Sequence, residues 1–201
     1  MQLCRQLLFL LLIFAPIALS QESQHAPWLD TSLSPAERAH DLVSKMTLEE
    51  KATQLEDYAV AIPRLGIPDY QTWNEALHGV ARAGYSTVFP QAIGMGATWD
   101  PTIVQAMGNV ISTEARAKFN EAQRQGNHRI FFGLTFWSPN INIDRDPRWG
   151  RGQETYGEDP FLTARMGVAF VHGVQGGDMD HLRAVATSKH FACLLYTSRC
   201  V

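Results

Sequence analysis

The sixteen residues from Arg145 to Pro160 carry a dense set of side chains that could hold a polar ligand. They include three arginines, four carboxylates and two aromatic residues. Guanidinium groups can donate paired hydrogen bonds to neighbouring hydroxyls, and aromatic rings can cover the face of a sugar ring. Glycine and proline exclude a regular helix here. The segment predicts a rigid sugar-binding loop, although a solvated loop held by arginine–carboxylate pairs has the same composition.

Polar clusters also follow three apolar segments, at the points where predicted strands end. Asn74 and Glu75 follow the first segment, Asp144 begins the cluster after the second, and Lys189 and His190 follow the third. The carboxyl ends of parallel strands meet at one edge of an open sheet or at one mouth of a barrel. We therefore expect these clusters to converge on a single pocket.

Strand-like and helix-like segments alternate along the chain and must position these clusters. Ser34 to Glu37 has the pattern of a capping box that begins a helix, and Thr47 begins a second helix that runs to about Leu55. Apolar spacing predicts further helices over 101–120 and 161–174 and strands over 130–136 and 183–187. The alternation predicts an α/β fold with a parallel sheet. An open doubly wound sheet and a closed (β/α)8 barrel both fit it, and the clusters at strand ends favour the barrel.

The composition is that of an ordinary globular domain. The chain has 201 residues, 45% of them hydrophobic and 18% charged, and a formal net charge of −3. It has no run of lysine or arginine, so nucleic acid is not expected as a partner. The sequence shows no metal-ligand spacing, no serine nucleophile elbow and no complete phosphate or dinucleotide motif, so we expect no metal and no cofactor.

Four motifs together resemble those of glycoside hydrolase family 3. They occur in the family's order, over about residues 33–192, at Trp73–Gly79, at Phe89–Gln91 with Gly96–Asp100, at 145–160 and at Lys189–Phe191. The residues Thr135–Asn140, which lead into the third motif, resemble the β-xylosidase-like branch. The resemblance implies a retaining β-glycosidase whose N-terminal domain is a (β/α)8 barrel, with an oligosaccharide or aryl β-glycoside as substrate.

The resemblance also implies roles for individual residues. Glu75 stands where the family has an acidic residue that binds hydroxyls of the sugar in the −1 subsite, and Arg151 stands where an arginine binds the same sugar. Lys189 and His190 stand at the family's sugar-binding lysine–histidine pair. Arg82 is a further candidate for substrate binding.

Other polar residues of these motifs are expected to support the structure. Arg145 and Arg148 would brace their loop, and His78 would be a satisfied structural group. Glu75 is one methylene longer than aspartate and could fill the space of a hexose hydroxymethyl group, which favours β-xylosides over β-glucosides. One methylene is worth only about 1–3 kcal/mol in discrimination, so this expected preference is small.

No residue of this chain receives the nucleophile or the acid/base role from the resemblance. The family's nucleophile is an aspartate on a later strand of the barrel, and its acid/base belongs to a following domain. We therefore expect an N-terminal fragment in which 21–192 form a partial catalytic barrel, without turnover and poorly soluble alone. An exported non-catalytic carbohydrate-binding protein is the alternative, and a barrel enzyme for phosphorylated substrates is a third hypothesis.

The first twenty residues have the pattern of a signal peptide. Arg5 precedes an apolar stretch from Leu7 to Ile17, and Ala18-Leu19-Ser20 is suited to cleavage before Gln21. The stretch is shorter than the ~20 residues of a membrane anchor, so we expect export to the periplasm or the exterior, without membrane attachment after cleavage.

The last nine residues, 193–201, break the preceding pattern. They resemble the translation of a sequencing-library transposon end, and we hypothesise that the natural sequence is interrupted after about Ala192. A genuine C-terminal tail is the alternative. Two of the three cysteines lie in these nine residues and the third is Cys4, so 21–192 cannot form a disulfide.

Overall fold

The computed structural model describes residues 26–193. The predicted signal peptide and residues 194–201 lie outside the described residues. The described chain divides into two compact units. The first contains the chain up to Ala52 together with Ile62–Ile67, and the second contains Thr53–Ala61 and the chain from Pro68 onward.

The first unit contains short helices whose first backbone amides are capped by side chains. A 3-10 turn at Pro27–Leu29 precedes α1 (Pro35–Lys45) and α2 (Leu48–Thr53). The predicted capping box of α1 is confirmed, because the Glu37 amide donates to Ser34 Oγ at 3.3 Å and the Ser34 amide donates to Glu37 Oε2 at 2.9 Å. Thr47 and Glu50 make the same reciprocal pair at the start of α2. This helix ends two residues before the predicted Leu55.

The second unit contains the strands. An antiparallel pair joins β1 (Tyr58–Ala59) to β2 (Tyr70–Gln71). A parallel pair joins β3 (Thr135–Phe136) to β4 (Val185–Ala186). Single parallel bridges extend this arrangement, from Asn74 to Phe136 on one side of β3 and from Asn140 to Lys189 on the other side. Three parallel segments, around 74, 136 and 186, therefore lie side by side, with β3 in the middle.

The two later strands are shorter than their apolar runs predict. The predicted strand over 130–136 is regular only at Thr135–Phe136. Phe131 has a positive φ of 74°, and a Cβ on Gly133 would lie 2.6 Å from the Gln71 carbonyl oxygen. The chain there turns tightly over its neighbour and cannot continue a sheet ladder. An apolar run alone does not reveal such a close approach.

Three helices accompany the parallel segments: α3 (Ala92–Gly96), α4 (Pro101–Arg124) and α5 (Pro160–Gln175). Asp100 accepts a hydrogen bond from the Thr102 amide at 2.8 Å and so caps α4, while Asp159 caps α5 by accepting from the Phe161 amide at 3.0 Å. Helix α4 runs four residues past its predicted end at 120. The order β3, α5, β4 confirms the predicted parallel sheet with a crossover helix.

Helices α4 and α5 pack at very short range because each presents a glycine to the other. A Cβ on Gly173 would lie 2.4 Å from the Gln105 carbonyl oxygen, and one on Gly108 would lie 2.9 Å from the Phe170 carbonyl oxygen. Ser112 Oγ donates to the Gly173 carbonyl oxygen at 3.1 Å. The core beneath this contact is continuous with β3, and its fully buried side chains include Val104, Ile111, Phe136, Met166, Phe170 and Val174.

Within residues 26–193, none of the helices combines the length and the apolar character that a bilayer-spanning segment requires.

Candidate functional site

A pocket of about 410 Å³ opens at the carboxyl ends of the three parallel segments. Its lining comes from the residues that follow each segment: Trp73 and Glu75 from the first, Trp137 from β3, Thr187–Ala192 from β4, and Arg151 from the loop before α5. Four of the five predicted substrate-binding residues therefore meet there. The first and third polar clusters, at Glu75 and at Lys189 with His190, therefore converge at this sheet edge as expected. The second cluster, which begins at Asp144, does not line the pocket, and Arg151 from further along its loop lies there.

Asn74 fixes the first segment against β3. Its side chain is fully buried, and its Nδ2 donates to the Thr135 carbonyl oxygen at 2.9 Å. Its Oδ1 accepts from the Gly133 amide at 2.7 Å. Because both ends of this amide are held by backbone groups, the next residue, Glu75, projects from a rigid support.

Glu75 and Lys189 form an ion pair across the pocket. Lys189 Nζ lies 3.0 Å from Glu75 Oε2 and 3.4 Å from Glu75 Oε1. The side chains are 12% and 24% exposed for Lys189 and Glu75 respectively. The pair is mostly shielded from water yet borders the pocket, so its unused donors and acceptors can reach a bound hydroxyl.

Arg151 is held by Glu154 in a two-point contact. Arg151 Nε donates to Glu154 Oε1 at 2.7 Å, and Nη2 donates to Oε2. Burial acts to raise the pKa of Glu154, but the hydrogen bonds and charge of Arg151 outweigh it and lower that pKa. The same hydrogen bonds raise the pKa of Arg151. Glu154 is therefore an ionised partner that orients the guanidinium.

His190 bonds to two neighbours through its two ring nitrogens. Nδ1 lies 2.7 Å from Asn142 Oδ1, and Nε2 lies 3.3 Å from Arg151 Nη1. Burial lowers the pKa of His190, and the positive charges of Arg151 and Lys189 lower it further. Because its pKa is lowered, His190 carries a neutral imidazole at neutral pH.

Two tryptophans of the pocket were not predicted as site residues. The rings of Trp73 and Trp137 are stacked, with centroids 4.9 Å apart and planes inclined by 9°. Both line the pocket, and Trp73 is 39% exposed. Their positions carried a signal, because Trp73 lies two residues before Glu75 and Trp137 directly follows β3.

Arg82 is not among the residues that line this pocket. It has a positive φ of 62°, and its guanidinium carbon lies 5.1 Å from the centroid of the Phe131 ring. Its observed contact is therefore a cation–π contact with an aromatic side chain outside the pocket lining. His78 bonds the Phe89 carbonyl oxygen through Nδ1 at 2.9 Å, which agrees with its expected structural role.

Two other charged residues of the 145–160 loop, Asp146 and Arg148, do not line this pocket. Arg148 pairs with Asp146, with Nη2 to Oδ2 at 2.6 Å, and its side chain is 89% exposed. The hydrogen bonds from Arg148 lower the pKa of Asp146 to about 2. This pair braces the loop, as expected for Arg148, and Arg151 is the loop's arginine at the pocket.

Two other cavities lie in the second unit. One of about 740 Å³ is polar and borders Asp69 and His128, which bond each other at 2.9 Å. The other, of about 420 Å³, is an apolar groove along α5 near Ile141 and Val168. Neither is lined by a predicted substrate-binding residue. Among the described residues, no group of three or more histidine, cysteine or carboxylate side chains is placed to hold a metal ion.

Comparison with known proteins places these residues in a family. The model of the glycosyl hydrolase family 3 N-terminal domain matches residues 36–196. A xylan 1,4-beta-xylosidase of Xylanibacter ruminicola is 46% identical over 179 residues, which are 88% of this chain and 21% of that protein. Beta-D-xylosidase 3 of Arabidopsis thaliana is 47% identical over 175 residues, 81% of this chain and 22% of that protein.

A solved structure agrees with these matches. A GH3 exo-beta-xylosidase (XlnD), in complex with a xylobiose aziridine activity-based probe, superposes with a TM-score of 0.74 at 40% identity. The match covers 86% of this chain and 22% of that chain. The chain thus spans about a fifth of the length of the relatives it matches.

Proposed function

Because this chain belongs to glycoside hydrolase family 3, we propose that it supplies the sugar-binding side of an active site that hydrolyses terminal β-D-xylosidic bonds with retention. The observation that carries the proposal is the meeting of Glu75, Arg151 and Lys189 at one pocket beside a stacked tryptophan pair. The fold is that of the family's N-terminal domain, and the three parallel segments are a section of its (β/α)8-type barrel.

The charge arrangement of the pocket suits binding of substrate. A retaining glycosidase needs one carboxylate that attacks the anomeric carbon and another carboxyl group that exchanges a proton. Glu75, which lines the pocket, is paired with Lys189, and Glu154 is paired with Arg151. Paired carboxylates are poor nucleophiles but good hydrogen-bond acceptors, so both act on sugar hydroxyls or on the groups that bind them.

A chimera tests this proposal. Residues 33–192 would replace the matching segment of the Xylanibacter ruminicola relative, and hydrolysis of an aryl β-xyloside would be measured. We expect an active chimera in which Lys189→Ala and Arg151→Ala each lower kcat/KM about 10- to 100-fold, since each removes a hydrogen bond to a charged group.

A matched control comes from α4. Arg124 pairs with Glu121 at the same i, i+3 spacing as Arg151 with Glu154, but its side chain is 71% exposed. Arg124→Ala should leave kcat/KM unchanged. An active chimera that is insensitive to both Lys189→Ala and Arg151→Ala would contradict the proposal. A chimera that binds xylo-oligosaccharides but cannot hydrolyse them would favour a non-catalytic carbohydrate-binding role.

Preference for pentose over hexose is proposed to arise at Glu75. Its carboxylate is fixed by Lys189, so its extra methylene occupies pocket volume that a hydroxymethyl group would otherwise need. In the chimera, Glu75→Asp should shift the kcat/KM ratio toward the aryl β-glucoside by about 10-fold, within the range for one methylene. An unchanged ratio would count against this origin of specificity.

We also propose that the protein is exported, to the periplasm or the exterior. The support is the sequence pattern of Arg5, the apolar stretch 7–17 and the small residues before Gln21. Fusion of residues 1–30 to a reporter that is active only outside the cytoplasm should give activity and a mature N-terminus at Gln21. Retention of the fusion in the cytoplasm would overturn the proposal.

A further inference from the structure

We propose that Asn142 is a positioning residue of the sugar site, which holds His190 as the neutral tautomer protonated on Nδ1 and leaves Nε2 as a hydrogen-bond acceptor. The inference rests on the proposed function and deepens it. It concerns a residue that does not line the pocket and acts through one that does.

The tautomer follows from the two partners of the ring. Asn142 Oδ1 can only accept, so the Nδ1 atom that lies 2.7 Å from it carries the proton. Arg151 Nη1 can only donate, so the Nε2 atom 3.3 Å from it presents its lone pair. Both neighbours independently require the same neutral form.

The fold brings Asn142 to His190 by backbone pairing. Asn140 forms a parallel bridge with Lys189, and the Ile141 amide donates to the Lys189 carbonyl oxygen at 2.9 Å. The Asn142 amide donates in turn to Oδ1 of Asn140, a residue only 1% exposed, at 2.9 Å. The segment after β3 is thereby tied to the segment after β4, and Asn142 is held beside the imidazole.

The acceptor at Nε2 completes the orientation of Arg151. A guanidinium has five N–H donors. Glu154 takes the Nε proton and one on Nη2, while His190 takes one on Nη1. One donor on each terminal nitrogen remains for a ligand. Arg151 is thus fixed from two sides, and its free donors form a fork suited to neighbouring hydroxyls.

Protonation of His190 would undo this arrangement. A proton on Nε2 would point at a guanidinium that can accept nothing, and the Lys189 ammonium is also close enough to act on the imidazole. The carboxylates of Glu154 and Glu75 oppose this effect in part, because they favour the charged imidazole. Asn142 provides an uncharged acceptor at Nδ1, where aspartate would favour the imidazolium.

The direct test is the tautomer of His190 in the 201-residue chain. The seven histidines would be labelled with nitrogen-15, and the His190 signals identified by their loss in His190→Gln. We expect a protonated Nδ1 and an unprotonated Nε2 at neutral pH. Asn142→Ala should give a mixture of tautomers, and Asn142→Asp should raise the pKa of His190 by about 1 unit or more.

Asn120→Ala removes an exposed asparagine of α4 and is the matched control, which should leave the His190 signals unchanged. A wild-type His190 protonated on Nε2 would overturn the proposal. So would an Asn142→Ala variant with the wild-type tautomer and pKa. The tautomer and the pKa of His190 are both measured without turnover. A failure of the proposed hydrolysis would therefore not change the outcome of this test.

A second measurement uses the chimera, whose folding is reported by its activity. Asn142→Asp should move the acidic limb of the pH profile of kcat/KM upward by about 1 unit and raise KM more than it lowers kcat. A loss by the same factor at every pH would indicate a merely structural role and would contradict positioning.

Discussion

Lys189 Nζ lies 3.0 Å from Glu75 Oε2, although 114 residues separate the two in the chain. The contact is made because the segments that carry them lie on opposite sides of β3 and end at the same edge of the sheet. A single ion pair therefore reports whether all three parallel segments are correctly aligned.

This pair gives the first prediction. Lys189→Met leaves a mostly buried carboxylate without its partner, and Glu75→Gln leaves a mostly buried ammonium. Each should lower the free energy of unfolding by about 1–3 kcal/mol, between the values for exposed and for fully buried pairs. The double variant should lose less than the sum of the two single losses, because neither charge then remains unpaired. Urea unfolding of the four proteins measures the cycle, and strictly additive losses would show that the pair is not coupled.

The close contact between α4 and α5 gives the second prediction. An added methyl at Gly173 would meet the Gln105 carbonyl oxygen at 2.4 Å, so Gly173→Ala should destabilise the fold by about 1–3 kcal/mol. The direction of this stability change is informative, because a glycine-to-alanine substitution in an unconstrained helix stabilises the helix by up to about 1 kcal/mol. Thermal unfolding measures the change. Gly177→Ala, where no atom lies within 4 Å of the new methyl, is the control. An unchanged or raised Tm in Gly173→Ala would show that the helices can separate at low cost.

The third prediction concerns pH and His190. Burial, followed by the charges of Arg151 and Lys189, holds the pKa of His190 below its ordinary value of 6.5. As the pH falls below about 6.5, the unfolded chain therefore binds a proton before the folded chain does. The contribution of His190 thus makes the free energy of unfolding decrease as the pH falls through this window, with no effect above it.

Urea unfolding between about pH 7.5 and pH 5 checks this dependence. The chain should lose stability more steeply than His190→Gln does. His40→Gln removes an exposed histidine of α1 that forms no ion pair with a carboxylate of the described residues, and it should keep the wild-type slope. Equal slopes for the wild type and His190→Gln would mean that the imidazole titrates alike in the folded and unfolded states.

The elements that were predicted correctly have local causes. The capping box at Ser34 and the helical spacing over 161–174 act within a few residues of chain, so they can be read from the sequence. Strand length was overestimated because the turn at Phe131 and the close approach at Gly133 depend on a neighbouring segment.

The same contrast, between local sequence patterns and contacts made by distant segments, applies to the residues of the site. Glu75, Arg151, Lys189 and His190 were predicted to bind substrate because the family's motifs mark them, and the structure brings all four to one pocket. Asn142 was not predicted, since its contact with His190 depends on the pairing of two distant segments. Arg82 lies between the first two motifs and places its guanidinium over the Phe131 ring, a contact that spacing along the chain cannot reveal.

The stacked tryptophans give the last prediction. Trp137 stacks on Trp73, with ring centroids 4.9 Å apart, and Trp73 keeps 39% of its surface exposed at the pocket. Aromatic pairs of this kind are worth about 0.5–1.5 kcal/mol beyond their buried area, so Trp137→Ala should weaken binding of xylose, which has no glycosidic bond to hydrolyse, to the chimera about 2- to 10-fold. Calorimetric titration measures the Kd. Trp137→Phe, which keeps an aromatic ring stacked on Trp73, should recover most of the loss, whereas Trp99→Phe, at a residue 71% exposed and outside the pocket lining, should have no effect. If Trp137→Ala binds xylose as tightly as Trp99→Phe does, Trp73 needs no support from the second ring, and the stack stabilises the sheet edge without contributing to sugar binding.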